Sequence, residues 1–146
     1  MRYPYIDYCD LVKICPIFED LTGDPLVLDL GAGAPVYGKV DLKDQKVFQK
    51  WLDTAMAQQG TSWGVASYLE NREPLLDTYP QMRGEQRYYH LGLDIIVDLD
   101  TPLHAPLSAT VVHSDYEEGP GNYGGNVLLR HDGEGFETFY SLSQLR

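Results

Sequence analysis

The sequence predicts an α+β protein, because one long amphipathic stretch lies among several short strand-like segments. Between residues 41 and 59, apolar residues recur at helical spacing. The apolar stripe consists of Val47, Phe48, Trp51, Leu52, Ala55 and Met56. After Tyr88 the apolar segments are short and are separated by turn residues, which favours antiparallel β structure. A change of composition near Gly84 predicts an N-terminal α/β segment (residues 1–85) and a β-rich segment (residues 86–146).

The N-terminal segment is expected to contain two strands and one helix. Residues 25–30 (PLVLDL) predict a strand, and the glycine-rich run 31–35 (GAGAP) predicts a turn rather than a phosphate-binding loop, since it lacks the third glycine and the Lys-Ser/Thr pair. Asp41 or Asp44 is suited to cap the helix at its start, and Gly60 at its end. A second strand is predicted over residues 63–69.

The polar connector that follows holds four charged side chains expected on the solvated surface, namely Glu70, Arg72, Glu73 and Arg83. In the C-terminal segment, strands are predicted over residues 93–97 and 108–113. Residues 115–125 have the composition of a long loop. A hairpin is predicted from residues 126–131 and 136–142, which flank the turn signal Asp132-Gly133-Glu134-Gly135.

Composition and charge exclude several classes of protein. The formal net charge is −11, from 11 Lys+Arg against 22 Asp+Glu, and no basic cluster is present, so the sequence predicts no nucleic-acid partner. No apolar run approaches the roughly 20 residues of a membrane span, and the N-terminus has no apolar signal-peptide core. The two cysteines, Cys9 and Cys15, do not form a disulfide framework and are expected to be buried thiols. These features predict a cytoplasmic protein without a membrane partner.

The segment from His90 to Asp94 (HLGLD) combines two metal-ligand side chains four residues apart. In a regular strand such residues lie roughly 13 Å apart, whereas one zinc ion needs ligand atoms within about 2.0–2.2 Å of itself. The two side chains therefore meet at one ion only if the chain bends between them, and Gly92 is the residue that permits a bend. The sequence thus predicts half of a metal site at His90 and Asp94.

Four motifs in order extend this observation over residues 90–140, about a third of the chain. They are HLGLD, DTPLHAPLSATVV, NYGGNVLLRH and TFY. In order, spacing and residue type they resemble the lysostaphin-type zinc metallopeptidases, which cut peptide cross-links of bacterial cell walls. Residues 1–85 faintly resemble the segment that precedes such a module in some large, non-secreted multidomain proteins.

The resemblance implies a fold, a metal and a substrate class. It implies that residues 86–146 form a partial lysostaphin-type antiparallel β core, incomplete at its C-terminus. His90 and Asp94 match the family's first two zinc ligands. The family then has a Tyr-x-His-Leu catalytic histidine and a later His-x-His pair that supplies the third ligand. Residues 139–143 (FYSLS) reach the place of the first motif without a histidine, and the sequence ends at Arg146 before the second. We therefore assign no catalytic residue.

Two ligands hold zinc weakly or not at all, because a catalytic zinc usually has three protein ligands and an open water position. His104, His113 and His131 are the remaining histidines, and each is expected to be a hydrogen-bonded or exposed imidazole rather than the third ligand. Asp94 has an alternative role as well, since it can simply accept a hydrogen bond from the neutral His90 ring.

Three functional hypotheses follow. The first is a peptidase module whose C-terminal end lies outside this sequence, acting on peptide or peptidoglycan-like substrates. The second, favoured by Ser141 near the expected histidine, is a degenerate module that serves binding or scaffolding. The third is an unrelated binding domain. We also expect an uncovered sheet edge in the C-terminal segment, through which copies of the chain would form a homo-oligomer.

Overall fold

The computed structural model describes residue 12 and residues 14–119 and 122–144. Eight strands and three helices lie in these residues. The strands are β1 (Leu26–Leu28), β2 (Gly64–Ala66), β3 (Glu70–Asn71), β4 (Tyr89–His90), β5 (Asp94–Ile96), β6 (Thr110–Glu117), β7 (Gly124–Gly133) and β8 (Phe136–Gln144). The helices are α1 (Gln45–Gln59), α2 (Glu73–Leu76) and α3 (Pro80–Glu85).

Contacts divide the chain into two compact units. The central unit is residues 20–101, and the terminal unit is residues 102–146 together with residues 1–19, as far as these are described. The boundary predicted near residue 85 falls inside the central unit. A division by contacts does not test which residues correspond to a peptidase-like domain. The division into residues 1–85 and 86–146 therefore stays a prediction.

The central unit is built on a three-stranded sheet in the order β1-β2-β5. β1 runs parallel to β2, with α1 between them in the chain, and β2 runs antiparallel to β5. Six buried residues form the core, namely Leu28, Leu30, Ala34, Val36, Leu52 and Ala66. Partly buried apolar residues, among them Phe48, Trp51 and Ile96, pack against these six and complete the core.

Helix α1 confirms the predicted helix and both of its caps. The Asp44 carboxylate accepts hydrogen bonds from the backbone N–H groups of Lys46 and Val47, and Gly60 closes the helix in a left-handed conformation with φ 73°. Leu52 is buried, whereas Val47 is 44% exposed. Val47 lies in the first turn of the helix and its exposure shows that this end of the apolar stripe is not part of the core.

The connector after β2 is more structured than its composition indicates. It contains α2 and α3, each with a proline in its first turn. The short strand β3 pairs antiparallel with β4, so Glu70 stands opposite His90. The prediction that Arg72 and Glu70 lie on the solvated surface is wrong, because only 7% of Arg72 and 8% of the Glu70 side chain are exposed. The carboxylates of Glu70 and Asp94 pair with the guanidinium of Arg72 and compensate its buried charge.

The terminal unit holds an antiparallel three-stranded sheet in the order β6-β7-β8. The predicted hairpin is confirmed, and Gly135 has the positive φ of 78° that its turn requires. The predicted loop over residues 115–125 is too long, since β6 continues to Glu117 and β7 already begins at Gly124. In the described residues, β6 and β8 each pair with β7 alone.

The structure confirms the α+β class and the antiparallel arrangement of the C-terminal strands. Cys15 is exposed, so the expectation of a buried thiol is wrong at this position. Cys9 lies outside the described residues. In the part of the chain that the structure describes, no helix has both the length and the apolar character needed to span a bilayer.

Candidate metal centre

The chain bends between His90 and Asp94, as the sequence predicts. β4 ends at His90, β5 begins at Asp94, and Gly92 forms the bend between them. The His90 Nε2 atom lies 3.3 Å from the Asp94 Oδ1 atom. Two ligand atoms about 2.0–2.2 Å from one tetrahedral ion lie roughly 3.3–3.6 Å apart, so this separation fits two ligands of one zinc ion.

Gly92 is needed here for space rather than for an unusual backbone angle. It is not among the glycines with positive φ. A Cβ atom at this position would lie 3.1 Å from His90 Nε2 and 3.4 Å from His90 Cε1. The missing side chain therefore leaves room for the imidazole beside the bend, a reason that sequence reasoning about the bend alone did not identify.

Each ring nitrogen of His90 faces a hydrogen-bond acceptor. The Nδ1 atom lies 3.3 Å from the Ser67 carbonyl oxygen, which can only accept a hydrogen bond. Across Nε2 lies the Asp94 carboxylate, which is also an acceptor when ionised. A neutral ring carries one proton and can satisfy only one of the two acceptors. Both acceptors are satisfied either by a doubly protonated ring or by a ring that holds its proton on Nδ1 and binds a cation through Nε2.

The second oxygen of Asp94 is held by a buried arginine. Arg72 Nη1 donates to Asp94 Oδ2 over 2.7 Å, and Arg72 Nε donates to Glu70 Oε2 over 2.8 Å. Glu70 Oε1 in turn accepts from the Leu30 backbone N–H over 2.7 Å. A continuous series of contacts thus connects the backbone of the core to the carboxylate that faces His90.

Tyr37 lies near this series of contacts, and its pKa is affected by the charges of Arg72 and Glu70. Its hydroxyl donates to the Leu30 carbonyl oxygen over 2.6 Å. Burial raises the pKa of Tyr37 above its ordinary value of 10.0, and the negative charges of Glu70 and Asp29 act in the same direction. The positive charge of Arg72 opposes them. The tyrosine is therefore kept in its neutral, donating form.

The other three histidines lie in the terminal unit and have neighbours of their own. His104 lies 3.8 Å from Glu19, and His113 lies 3.8 Å from Asp115. His131 is 3% exposed and its Nδ1 atom lies 2.5 Å from the Ser108 carbonyl oxygen. These contacts fit the expected roles of hydrogen-bonded or exposed imidazoles.

The described residues supply two candidate ligands and no third. Within residues 12, 14–119 and 122–144, no group of three or more His, Cys, Asp or Glu side chains is placed to hold a metal ion. Ser141, near the position where the resemblance implies a catalytic histidine, lies on β8 opposite Leu128. His90 and Asp94 therefore fit zinc as a pair, and we derive no hydrolytic step from two ligands.

Exposed apolar residues flank the two candidate ligands along the chain. Tyr89, Leu91 and Leu93 are each at least 60% exposed, and on the neighbouring segment Tyr68 and Leu69 are more than half exposed. The two segments are adjacent because the Leu69 N–H donates to the His90 carbonyl oxygen over 2.8 Å. Exposed apolar residues thus flank the candidate pair on its own segment and on the segment hydrogen-bonded to it.

Comparison with known proteins adds no family to this description: no family model matches the chain, and neither does any curated protein or solved structure.

Proposed function

We propose that this chain is a zinc metallopeptidase-like module that resembles the lysostaphin-type endopeptidases and keeps two of their three zinc ligands, His90 and Asp94. The observation that carries the proposal is the 3.3 Å separation of His90 Nε2 and Asp94 Oδ1, with Nδ1 facing a backbone carbonyl. This separation suits two ligands of one ion and exceeds the roughly 2.7–2.9 Å of a strong charge-assisted hydrogen bond.

The ligand class we propose is a peptide, including the cross-link peptides of cell walls. Five exposed apolar residues on these two segments support this choice, namely Tyr68, Leu69, Tyr89, Leu91 and Leu93, because exposed apolar and aromatic side chains commonly mark contact sites for polypeptides. The net charge of −11 disfavours a polyanionic ligand.

A non-catalytic binding or scaffolding role is the second candidate. It is supported by the number of ligands in the described residues and by Ser141 near the position implied for a catalytic histidine. A zinc-bound water becomes a hydrolytic nucleophile only when the ion is firmly held and a base is near. A module with two ligands can still bind a peptide through these exposed apolar residues.

Zinc titration of the metal-free protein by calorimetry tests the proposal. We expect weak one-to-one binding that His90→Ala and Asp94→Ala each abolish, whereas His113→Ala, in the terminal unit, leaves the affinity unchanged. Equal loss in all three variants would contradict the ligand assignment. No zinc binding by the wild type would contradict the proposal as a whole.

Incubation with a cross-linked cell-wall peptide separates the two candidates. Binding without cleavage, at the same affinity with and without zinc, is expected of a binding module. Zinc-dependent cleavage that His90→Ala abolishes would instead require a third ligand beyond the described residues.

A further inference from the structure

We propose that Arg72 and Glu70 are positioning residues that fix the Asp94 carboxylate with Oδ1 towards His90 Nε2, and so raise the affinity of this pair for a divalent cation. The inference rests on the proposed function, because it concerns the same two ligands. It assigns a purpose to two charged side chains that the sequence places in a polar surface connector.

The contacts restrain the Asp94 carboxylate through its Oδ2 atom, and they restrain the arginine that holds it. Arg72 reaches Asp94 Oδ2 through Nη1 and Glu70 Oε2 through Nε, so one planar guanidinium connects the two carboxylates. Glu70 is itself fixed by the Leu30 backbone N–H at 2.7 Å. Rotation of the Asp94 carboxylate would break the 2.7 Å contact with Arg72. The oxygen that faces His90 is therefore held in place before any ion arrives.

Stability alone does not account for this arrangement. The side chains of Arg72 and Glu70 are each 8% exposed, and burying such ions costs solvation that the pair only partly recovers. The Arg72 Nη2 atom is also buried and has no hydrogen-bond partner among the described residues. An unsatisfied buried donor carries a further cost and requires an explanation. Orientation of a metal ligand is a purpose that apolar packing could not serve.

The charges are also balanced in favour of a cation. With Glu70, Arg72 and Asp94 ionised and His90 neutral, the four side chains carry one net negative charge. Without Glu70, the positive charge of Arg72 would cancel that of Asp94 and leave nothing to attract zinc. Glu70 thus lets a cationic side chain orient a metal ligand without making the site repel the metal.

Arg72→Lys separates orientation from charge. The substitution keeps the positive charge and removes the fork that connects Glu70 to Asp94. If Arg72 acts by charge alone, zinc affinity stays unchanged. If it acts by position, we expect a loss of about tenfold to a hundredfold, the usual effect of removing a partner of a metal ligand. Arg87→Lys is the matched control, because Arg87 pairs with Glu85 at 3.3 Å on an exposed surface of the same unit.

A second variant keeps the test valid if Arg72→Lys does not fold. The double substitution Glu70→Gln with Arg72→Gln removes one positive and one negative charge, so the net charge of the site is unchanged and no buried ion remains at either position. Folding is checked by circular dichroism and by the urea midpoint. Zinc affinity is read by calorimetry. The visible absorption of bound cobalt(II), which reports ligand geometry, adds a readout that a purely stabilising role would not alter.

Weaker zinc binding and an altered cobalt spectrum in either Arg72 variant, with Arg87→Lys unchanged, would support the inference. Wild-type affinity and spectrum in the folded Arg72 variants would overturn it and leave the proposed function intact. Absence of zinc binding by the wild type would overturn the proposed function, and the inference with it.

Discussion

Replacing Gly92 with alanine would place a methyl group against the imidazole of His90. The added Cβ atom would lie 3.1 Å from Nε2, which is the atom proposed to bind zinc, and 3.4 Å from Cε1. The backbone at Gly92 does not require a positive φ, so alanine is conformationally allowed. The substitution therefore perturbs the position of one ligand without straining the backbone.

The size of the effect follows from this contact. A neighbour at 3.1 Å must yield by a few tenths of an ångström, and the atom that yields is Nε2. Functional metal sites keep their ligand distances within about 0.2 Å of the usual values. We therefore expect zinc affinity to fall by about tenfold, which corresponds to about 1.4 kcal/mol. The free energy of unfolding should change by less than about 1 kcal/mol, because alanine also restricts the unfolded chain.

Calorimetric zinc titration and urea unfolding of the metal-free protein measure the two quantities separately. Gly33→Ala is the matched control, because Gly33 lies in a turn of the same unit, has no positive φ and has nothing within 4 Å of the added Cβ atom. It should leave zinc affinity unchanged. Wild-type affinity in Gly92→Ala would refute the reasoning that the His90 ring occupies the space left by this glycine.

Three further predictions concern stability and association. Leu52→Ala should lower the free energy of unfolding by about 2–5 kcal/mol, whereas the exposed Val47→Ala should change it by less than about 0.5 kcal/mol in urea unfolding. The pKa of Tyr37 is raised in the folded state, so its contribution to the free energy of unfolding is present below pH 10 and is lost as pH rises further. Between about pH 8 and about pH 11, the urea midpoint should therefore fall less in Tyr37→Phe than in the wild type. If copies associate through β6, Val112→Lys should shift sedimentation towards the monomer, and a wild type that is monomeric at every concentration would contradict this.

Local patterns predicted helix α1 and the C-terminal hairpin well, because the physical causes of these elements lie within them. Asp44 caps the helix through its own neighbours, and Gly60 and Gly135 adopt conformations that non-glycine residues disfavour. The extent of β6 and β7 was harder to predict, since residues 115–125 have a loop-like composition. Pairing across the sheet stabilises part of this segment as strand, beyond its own propensity.

The sequence by itself determined the α+β class, the bend at Gly92 and the pairing of His90 with Asp94 as candidate ligands. These depend on residue type and short spacing. Only the tertiary structure decided the surroundings of Asp94. Arg72 lies 22 positions away in the chain and looks like a surface cation until β3 pairs with β4 and brings it to Asp94. A buried charge must be compensated by partners that the fold brings near it. The spacing of residues along the sequence does not show which partners these are.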